Sequence, residues 1–481
     1  MKLVLVYLGL LGVAMSSNVG MELGFTEAML ESLKTAALPG VIKGIGNIQI
    51  PNQQGQIGKD WYEIKVEVYD IVLYGINFSV SDSAFLFSTP NKYILKIEGM
   101  YAKTDFKYHY SFPIGHGDGS GNIEISQTNC EVQMTISERN GKPVVTIDNS
   151  SVYVGKLDIK FNHSLIGDIS NWITSLFNKK LKGDIENDMN KSIQGSLQKS
   201  IDESLSSISL YSKFDNYPIA IDYSLTSDPI VTDDYTEIQA LGIFIDTNDP
   251  DYNPPVKAPV NLPGFESKGK QIQIMLTDYT LNTGLYAAYK IDIITYNITD
   301  QMIPSSSPVH LDTTSLDNVI PGMSAKYGKD KPCNLYCNAN AQPSIQCFGS
   351  VGQGKGLIQG TIDLNCAVQV EGVNTVAIFQ NSIQFNTTAI VKDWVLNYDL
   401  DDLEVESIKV VENTLNTNID VKDLKLTLNF IIEAALPTID KKLLKQGIPL
   451  PNSKHATYND GTVSVMDGYL FIEADPEWHY N

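Results

Sequence analysis

Positive charge is scarce in this sequence, and arginine is nearly absent. The 481 residues include 35 lysines and arginines against 56 acidic residues, which gives a formal net charge of −21, and the single arginine is Arg139. Basic residues number 18 against 28 acidic ones in residues 18–245, and 16 against 28 in residues 246–481. Nucleic-acid-binding proteins carry a basic patch or stripe, and arginine is the usual bidentate ligand of phosphate. We therefore expect no nucleic-acid partner.

Signatures of catalysis and of metal binding are also missing. None of the six histidines belongs to an HExxH motif or to a paired metal-ligand spacing, and no GxSxG motif occurs. The glycine-rich run GHGDGSG at 115–121 lacks the spacing of a dinucleotide fingerprint, so we interpret it as a mobile hairpin loop. The sequence predicts a protein that is not an enzyme and that uses no metal or other cofactor.

Long apolar runs are confined to the N-terminus. Lys2, the apolar stretch from Leu3 to Met15 and the small residues around Ser16 are typical of a signal peptide over residues 1–17. No other segment approaches the roughly 18 apolar residues of a membrane-spanning helix. We expect a secreted glycoprotein, located outside the cell or in the lumen of the secretory pathway. Its N-x-S/T sequons are at Asn77, Asn149, Asn162, Asn190, Asn297 and Asn386.

Cysteines number only five, yet four of them lie close together at Cys333, Cys337, Cys347 and Cys366. In a secreted protein this cluster predicts two disulfides, for which three connectivities exist. If the Gln342-Pro343 pair turns a hairpin, Cys337 faces Cys347 and Cys333 is left for Cys366. Zinc is the alternative, but no histidine lies nearby. The fifth, Cys130, alternates with apolar residues and is expected to be a buried free thiol.

The most regular pattern places an apolar residue at every fourth position from Phe177 to Leu205, with polar residues between. This is a helical period, and with Ile166, Ile169 and Trp172 it predicts a helix of about 40 residues, roughly 60 Å long. A step of four residues turns about 400°, so the apolar stripe drifts by about 40° per step. Such a spiral needs a strongly twisted antiparallel sheet to cover it.

Both halves of the chain combine helices with alternating strands. In the first half, Phe25, Met29 and Leu33 begin a helix that Pro39 kinks or breaks, and strands separate it from the long helix. Residues 246–263 contain five prolines and form a linker. The second half has predicted strands over 269–299 and 333–411, a short helix over about 313–327 that contains Pro321, and a long helix over 424–446. The fold class is α+β, with elongated domains over 18–245 and 264–481.

Two interpretations of the apolar helices are open. In the first, they only fill closed cores, as in a structural protein of a secretory matrix. In the second, part of each apolar face lines a space between helix and sheet that holds lipid. The second interpretation is favoured by the methionine and phenylalanine residues on these faces, because both types line adaptable apolar cavities.

Short motifs follow one another along essentially the whole chain after the signal peptide. They are TAAL at 35–38, IQIP at 48–51, LFNKK at 176–180, NPPVKAPVNLP at 253–263, LTDYTLNTG at 276–284, DQMIP at 300–304, KLLKQGIPLP at 442–451 and YLFIEAD at 469–475. In this order they resemble the BPI/LBP/PLTP/CETP family of lipid-transfer and lipopolysaccharide-binding proteins.

The resemblance implies a boomerang of two barrel-and-helix domains round a central sheet, with one phospholipid-sized apolar pocket in each domain. The implied partners are lipids and a membrane or lipid-particle surface, with bacterial lipopolysaccharide as the alternative ligand, and the protein is expected to be a monomer. The residues expected to line the pockets are Met21, Phe25, Met29, Leu33, Ile169, Ile173, Phe177 and Leu181 in the first domain, and Met323, Ile432, Leu436 and Ile439 in the second.

The sequence departs from the family pattern in two respects. The family disulfide that ties a strand to the long helix has no counterpart, since neither the region Ile147 to Ser150 nor the helix near Gln194 contains cysteine. Antibacterial members carry a cationic N-terminal tip, whereas residues 18–245 of this chain are acidic overall. The acidic first half favours generic lipid binding over high-affinity neutralisation of lipopolysaccharide, because acyl chains are held by burial at about 0.8 kcal/mol per methylene and not by charge.

Overall fold

The computed structural model describes residues 19–45, 47–58, 63–162, 167–214, 217–249, 253–265, 269–350, 356–443 and 447–479. The predicted signal peptide over residues 1–17 lies outside the described residues. The side chains of Leu436 and Ile439 lie outside them too, since only the backbone course of residues 436–443 is described.

The predicted long helix is confirmed, and it is built from three consecutive pieces. Helix α2 (Gly167–Leu176), a π-helical turn (Phe177–Leu181) and α3 (Lys182–Ser206) follow one another without a gap. The first helix, α1 (Glu27–Ile45), continues through Pro39 and is not broken there. The other helices are α4 (Asp278–Lys290), a 3₁₀ turn (Asp300–Met302), α5 (Thr313–Leu316), α6 (Met323–Tyr327) and α7 (Val421–Leu443).

The strands between α1 and α2 form one eight-stranded antiparallel sheet. They are β2 (Ile48–Ile50), β3 (Gln53–Ile57), β4 (Ile64–Asn77), β5 (Ala84–Ser88), β6 (Lys92–Phe112), β7 (Gly115–Arg139), β8 (Lys142–Tyr153) and β9 (Lys156–Phe161). The main path is β2-β4-β6-β7-β8, and β3, β5 and β9 pair with β4, β6 and β7. The stripe from Phe177 to Leu197 is buried in the core that this sheet covers. The π turn offsets part of the stripe's drift, because it inserts a residue into the helical repeat.

The glycine-rich run at 115–121 belongs to strand β7, which corrects the prediction of a loop. Its alternate glycines each face an aromatic ring on β6, and a Cβ atom at any of them would collide with that ring. The facing pairs are Gly115 with Phe112, Gly117 with Tyr110, Gly119 with Tyr108 and Gly121 with Phe106. Successive rings lie 6.4, 6.5 and 6.3 Å apart between centroids. The glycines therefore make room for an aromatic ladder, a known way to cover bare strand backbone.

Strands from both halves of the chain form a central sheet. Its members are β1 (Met21–Thr26), β12 (Ile230–Val231), β13 (Tyr235–Ala240), β15 (Ile272–Thr277), β24 (Thr462–Met466) and β25 (Tyr469–Ala474). The order is β12-β13-β1-β15-β25-β24. Met21 and Phe25 thus lie on a strand, and the expectation that Phe25 begins the first helix is wrong. A small sheet of β10 (Tyr211–Lys213), β11 (Ile219–Asp222) and β14 (Ile243–Asp246) packs beside it.

The predicted run of strands over 269–299 is interrupted by helix α4. Strand β15 ends at Thr277, whose side-chain oxygen accepts a hydrogen bond from the backbone N–H of Thr280, and so caps the helix. Asp278 in the first turn and Lys290 in the last turn complement the helix dipole. The cap and the end charges account for a helix where the residue pattern alone indicated continued strand.

A second antiparallel sheet of seven strands forms the other half of the molecule. It contains β16 (Thr295–Thr299), β17 (Cys333–Ala339), β18 (Ser344–Phe348), β19 (Leu357–Val370), β20 (Asn374–Lys392), β21 (Val395–Asn413) and β22 (Ile448–Pro449). The order is β16-β17-β19-β20-β21-β22, and β18 pairs with β19. Helix α7 packs Leu424, Leu428 and Ile431 into the core of this half. A two-stranded pair, β23 (Ala456–Thr457) and β26 (Glu477–Trp478), completes the described strands.

The disulfide joins Cys337 to Cys366, and the predicted pairs Cys337–Cys347 and Cys333–Cys366 are wrong. β17 pairs with β19, which places Cys337 directly opposite Cys366 with a Cα–Cα distance of 4.1 Å. β18 also pairs with β19, where Cys347 faces Ile358, so no hairpin brings Cys347 to Cys337. Cys333 and Cys347 are buried free thiols, and Cys130 is one as well, as predicted. Burial raises the pKa of all three thiols to about 12.

Hydrogen bonds join the long helix to the sheet where the family disulfide is lacking. The Ser150 hydroxyl on β8 lies 2.7 Å from the side-chain oxygen of Asn190 on α3, and the Asn190 amide donates to the Ser150 carbonyl at 3.2 Å. These bonds tie the same two elements together without cysteine. They also occupy the Asn190 side chain, which was one of the predicted glycosylation acceptors.

Candidate functional site

An apolar cavity of about 310 Å³ lies between α1, the end of α3 and one face of the central sheet. Its first-half wall comprises Met21, Leu23, Phe25, Met29, Leu30, Leu33, Lys34, Ala37, Leu38, Val41, Phe85, Tyr93, Leu95, Met134, Ile136, Pro143, Val145, Leu197, Ser200, Ile201, Ser204, Leu205, Ile208 and Leu210. The sheet side adds Tyr223, Leu225, Thr236, Ile238, Ala240 and Ile272. The volume is at the lower end of the roughly 300–1,000 Å³ found for small-molecule sites.

Local sequence patterns explain how the first-half wall becomes apolar. Along β1, Met21, Leu23 and Phe25 alternate with residues on the opposite face, so every second side chain reaches the cavity. Along α1, Met29 and Leu33 are four residues apart and share the helix face that continues toward Val41. Two secondary-structure periods, 2 and 3.6, thus converge on one apolar surface.

One charged residue stands in this wall. Lys34 is only 5% exposed, and its ammonium donates to the carbonyl oxygen of Ser83 at 2.7 Å. It also lies 2.8 Å from a carboxylate oxygen of Glu31, one turn earlier on α1. A buried charge is tolerated when it is paired and hydrogen-bonded. Lys34 therefore fixes α1 to the segment before β5 and does not present an unpaired charge to the cavity.

The far wall comes from the second half of the chain. It consists of Trp394, Pro451, Asn452, Ser453, Tyr458 and Trp478. Trp394 and Asp393 form the two-residue turn between β20 and β21, and both have positive φ, as a type I′ hairpin turn requires. The Trp394 ring stacks on Tyr458 with centroids 4.4 Å apart, and its Nε1–H donates to the Pro451 carbonyl at 2.7 Å. A hairpin from one half thus closes a cavity built mainly by the other.

A polar recess of about 350 Å³ adjoins this wall. Four residues line both the recess and the cavity: Trp394, Asn452, Ser453 and Tyr458. The recess is completed by Ser207, Asp393, Lys454 and Ala456. An apolar space and a polar one therefore share a boundary of two aromatic and two small polar side chains.

Of the residues expected to line pockets, some line this cavity and others lie in the buried cores. Met21, Phe25, Met29 and Leu33 line the cavity. Four others, Ile169, Ile173, Phe177 and Leu181, are fully buried in the core of the first half and are not part of this wall. Met323 and Ile432 belong to the core of the second half. Leu436 and Ile439 lie outside the described side chains.

Sequence reasoning missed the second-half wall. Trp394, Tyr458 and Trp478 come from three separate segments, and no periodic pattern links them. Within the described residues, no group of three His, Cys, Asp or Glu side chains could hold a metal ion. No helix in the described ranges has the length and apolarity that crossing a membrane needs.

Comparisons with known proteins match nearly the whole chain. Models of the LBP / BPI / CETP family match residues 29–206 with its N-terminal domain and residues 212–478 with its C-terminal domain. Human lipopolysaccharide-binding protein is 21% identical over 97% of this chain and 95% of its own length. Rat bactericidal permeability-increasing protein is 21% identical over 96% and 92%. A crystal structure of lipopolysaccharide binding protein aligns with a TM-score of 0.63 at 18% identity, covering 96% of this chain and 100% of that one, which confirms the predicted two-domain fold.

Proposed function

This chain belongs to the LBP/BPI/CETP family, and from that membership we propose that it is a non-catalytic protein that binds and transfers lipids. The observation that carries the proposal is the cavity wall, in which side chains from both halves enclose an apolar space and the one cation, Lys34, is already paired. Each methylene that leaves water for such a space contributes about 0.8 kcal/mol. An acyl chain is the ligand that this chemistry favours.

The flexible side chains in the wall suit a ligand of variable length. Met21, Met29 and Met134 contribute unbranched thioether side chains that adapt to irregular shapes. We expect the protein to act in the secretory pathway or outside the cell, as residues 1–17 predict, and to meet lipid at a membrane or particle surface.

Lipopolysaccharide is the second candidate ligand, because human lipopolysaccharide-binding protein matches this chain over nearly its full length. Its phosphate groups pair best with cationic side chains. This chain has a net charge of −21 and offers no excess of them. A pull-down on immobilised lipopolysaccharide at about 0.15 M salt, where the screening length is about 8 Å, distinguishes the candidates. Retention there supports lipopolysaccharide, and its loss supports neutral acyl-chain binding.

Solvent extraction of the purified protein followed by mass spectrometry tests the proposal. We expect close to stoichiometric acyl lipid in the wild-type protein. Met29→Glu should lower the lipid content several-fold, because Met29 is buried against the cavity. Thr35→Glu, on the exposed side of the same helix, is the matched control and should leave the content unchanged. A wild-type protein without lipid contradicts the proposal. Equal lipid content in both variants would mean that Met29 does not contact the bound lipid.

A further inference from the structure

Two histidines meet on the outward face of the β6–β7 hairpin, close to its end. β6 and β7 pair so that His109 is directly opposite Asp118 and Ser111 is directly opposite His116. His109 and His116 are therefore diagonal neighbours on one face of the sheet, and their ring centroids lie 6.0 Å apart with an interplanar angle of 33°. The two residues are not neighbours along the chain, so it is strand pairing that brings them together.

The carboxylate of Asp118 fixes the orientation of the His109 ring. A carboxylate can only accept, so the Nδ1–H of His109 donates to a carboxylate oxygen of Asp118 at 2.6 Å. In the neutral ring the other nitrogen, Nε2, then carries a lone pair. A metal-binding imidazole almost always donates its second N–H to a carboxylate, a carbonyl or water in this way. His109 thus has the tautomer and the supporting partner that a metal ligand needs.

The distance between the two rings suits a single metal ion. Metal–nitrogen bonds are about 2.0–2.1 Å long, so two imidazoles on one ion have ring centres roughly 4.5–6 Å apart. The observed 6.0 Å is at the upper end of this range. His116 is exposed, and exposed side chains change rotamer within nanoseconds, so its ring can turn toward His109. The strands that carry both rings are supported on their opposite face by the glycine–aromatic ladder.

The charges around the pair also favour a cation. Glu67 on β4 and Asp118 on β7 lie directly opposite His109 on its two neighbouring strands. Lys107 on β6 is engaged in an ion pair at 2.9 Å, and Lys65 on β4 offsets one of the two carboxylates. An opposite charge nearby stabilises a bound ion. The surroundings of His109 therefore carry an excess of negative charge that a metal ion can use.

We propose that His109 and His116 bind a divalent transition metal, Cu²⁺ most tightly, through one ring nitrogen each. Imidazole suits Cu²⁺, Zn²⁺ and Ni²⁺, and Cu²⁺ has the highest affinity of these for a given set of ligands. Water completes the coordination, since no group of three His, Cys, Asp or Glu side chains in the described ranges could hold an ion. The site departs from the prediction of no metal, which rested on motif spacing along the chain. It is independent of the lipid cavity, whose wall contains neither histidine.

Titration of the full-length protein with Cu²⁺, after treatment with a chelator, tests the site. We expect the most tightly bound Cu²⁺ to give an electron paramagnetic resonance spectrum with coupling to two imidazole nitrogens. His109→Gln and His116→Gln should each weaken its binding by more than about tenfold and leave coupling to one imidazole, because loss of a supporting partner alone typically costs about 10–100-fold. Asp118→Ala should weaken binding by up to about tenfold and retain both couplings, because it removes only the support of His109.

The matched control is His310→Gln. His310 also has its Nδ1 close to a carboxylate oxygen, that of Asp300 at 3.0 Å, but it lies in the other half of the chain, so its loss should leave Cu²⁺ binding unchanged. Circular dichroism should show that the His109 and His116 variants remain folded. The site is refuted if both variants bind Cu²⁺ as the wild-type protein does, or if the wild-type spectrum shows coupling to fewer than two imidazoles. Lipid extracted from these variants should equal that of the wild-type protein, so failure of the metal site leaves the proposed function intact.

Discussion

The two longest hairpins of the molecule end in opposite surroundings. The β6–β7 hairpin ends at Pro113-Ile114, where Ile114 is 92% exposed, while the β20–β21 hairpin ends at Asp393-Trp394, where Trp394 is 5% exposed. Hairpin turns normally lie in water and are built from small or polar residues. The burial of Trp394 therefore marks a tertiary contact, and that contact closes the cavity.

The register of strand pairing in the two hairpins explains why only one of them reaches the cavity. From Ala102 to Phe112, β6 pairs with β7 without a register shift, and the glycine–aromatic ladder supports this straight part. β20 and β21 pair with three register shifts, the last at Asn386/Thr387 near the turn. Bulges bend a strand and increase its twist. The β6–β7 hairpin has its two register shifts between Ile97 and Ala102, far from its turn, so its end extends straight into solvent. The β20–β21 hairpin is shifted again near its turn and curves onto the other half of the chain.

Truncation of the buried turn should have the largest effect. We expect Trp394→Ala to lower the free energy of unfolding by about 3 kcal/mol, because it removes a buried ring, its stack on Tyr458 and its bond to Pro451. Lipid bound to the folded protein should also dissociate faster through the opened wall. Denaturant titration and lipid retention after dilution measure the two effects. Trp394→Phe keeps a ring and should lower the free energy of unfolding by only about 1 kcal/mol. If Trp394→Ala is as stable as the wild-type protein, the contact of this turn with the rest of the cavity wall does not stabilise the fold.

The aromatic ladder should be the next most sensitive feature. Gly119→Val places a branched side chain against the Tyr108 ring, and we expect a loss of about 2 kcal/mol from overpacking. Lipid content per folded molecule should not change, since the ladder lies outside the cavity wall. Asp118→Asn, on the outward face of the same strand, is the control and should cost less than about 0.5 kcal/mol. Thermal unfolding followed by circular dichroism checks both, and a Gly119→Val protein as stable as the control would mean that the rings do not need the glycine.

The central sheet contains a carboxyl group, that of Glu22 on β1, whose pKa is shifted by its surroundings. Burial, aided by the carboxylate of Glu237, raises the pKa of Glu22 from its ordinary value of 4.5 to about 7. Ionising this group costs more in the folded chain than in the unfolded one, so its contribution to stability falls as pH rises from 4.5 through 7. Glu22→Gln should therefore stabilise the protein at pH 8, by on the order of 2 kcal/mol, and have little effect at pH 4. Equal effects of the substitution at both pH values would contradict a raised pKa.

Much of the fold could be predicted from local patterns. The long helix follows from its four-residue spacing, and the strands follow from alternation over many residues, because each signal repeats several times within one element. The run at 115–121 escaped prediction since glycine favours loops by itself, and its role as strand depends on rings on a neighbouring strand. Helix α4 escaped because a short capping signal at Thr277 outweighed the residue pattern.

The candidate site could be predicted only on one side. Met29 and Leu33 carry a helical period, so sequence pattern assigns them to an apolar face that proves to line the cavity. Phe177 carries the same period but lies in the core of the first half and not in this cavity wall, because periodicity identifies the buried face and not the empty space next to it. Trp394 and Tyr458 are brought together by the tertiary course of the β20–β21 hairpin, and Cys337 is brought to Cys366 by strand order; neither contact is visible in a local residue pattern.

The exposed hairpin end should show the smallest effect on stability. Ile114 is 92% exposed and packs into none of the core clusters, so Ile114→Ser should change the free energy of unfolding by less than about 0.5 kcal/mol. Lipid extracted from the variant should equal that of the wild-type protein, because the residue does not line the cavity. Denaturant titration with lipid quantification, run beside Trp394→Ala, gives both values under the same conditions. A loss of stability near that of Trp394→Ala would mean that the β6–β7 turn is also packed in solution, and the contrast between the two hairpins would then disappear.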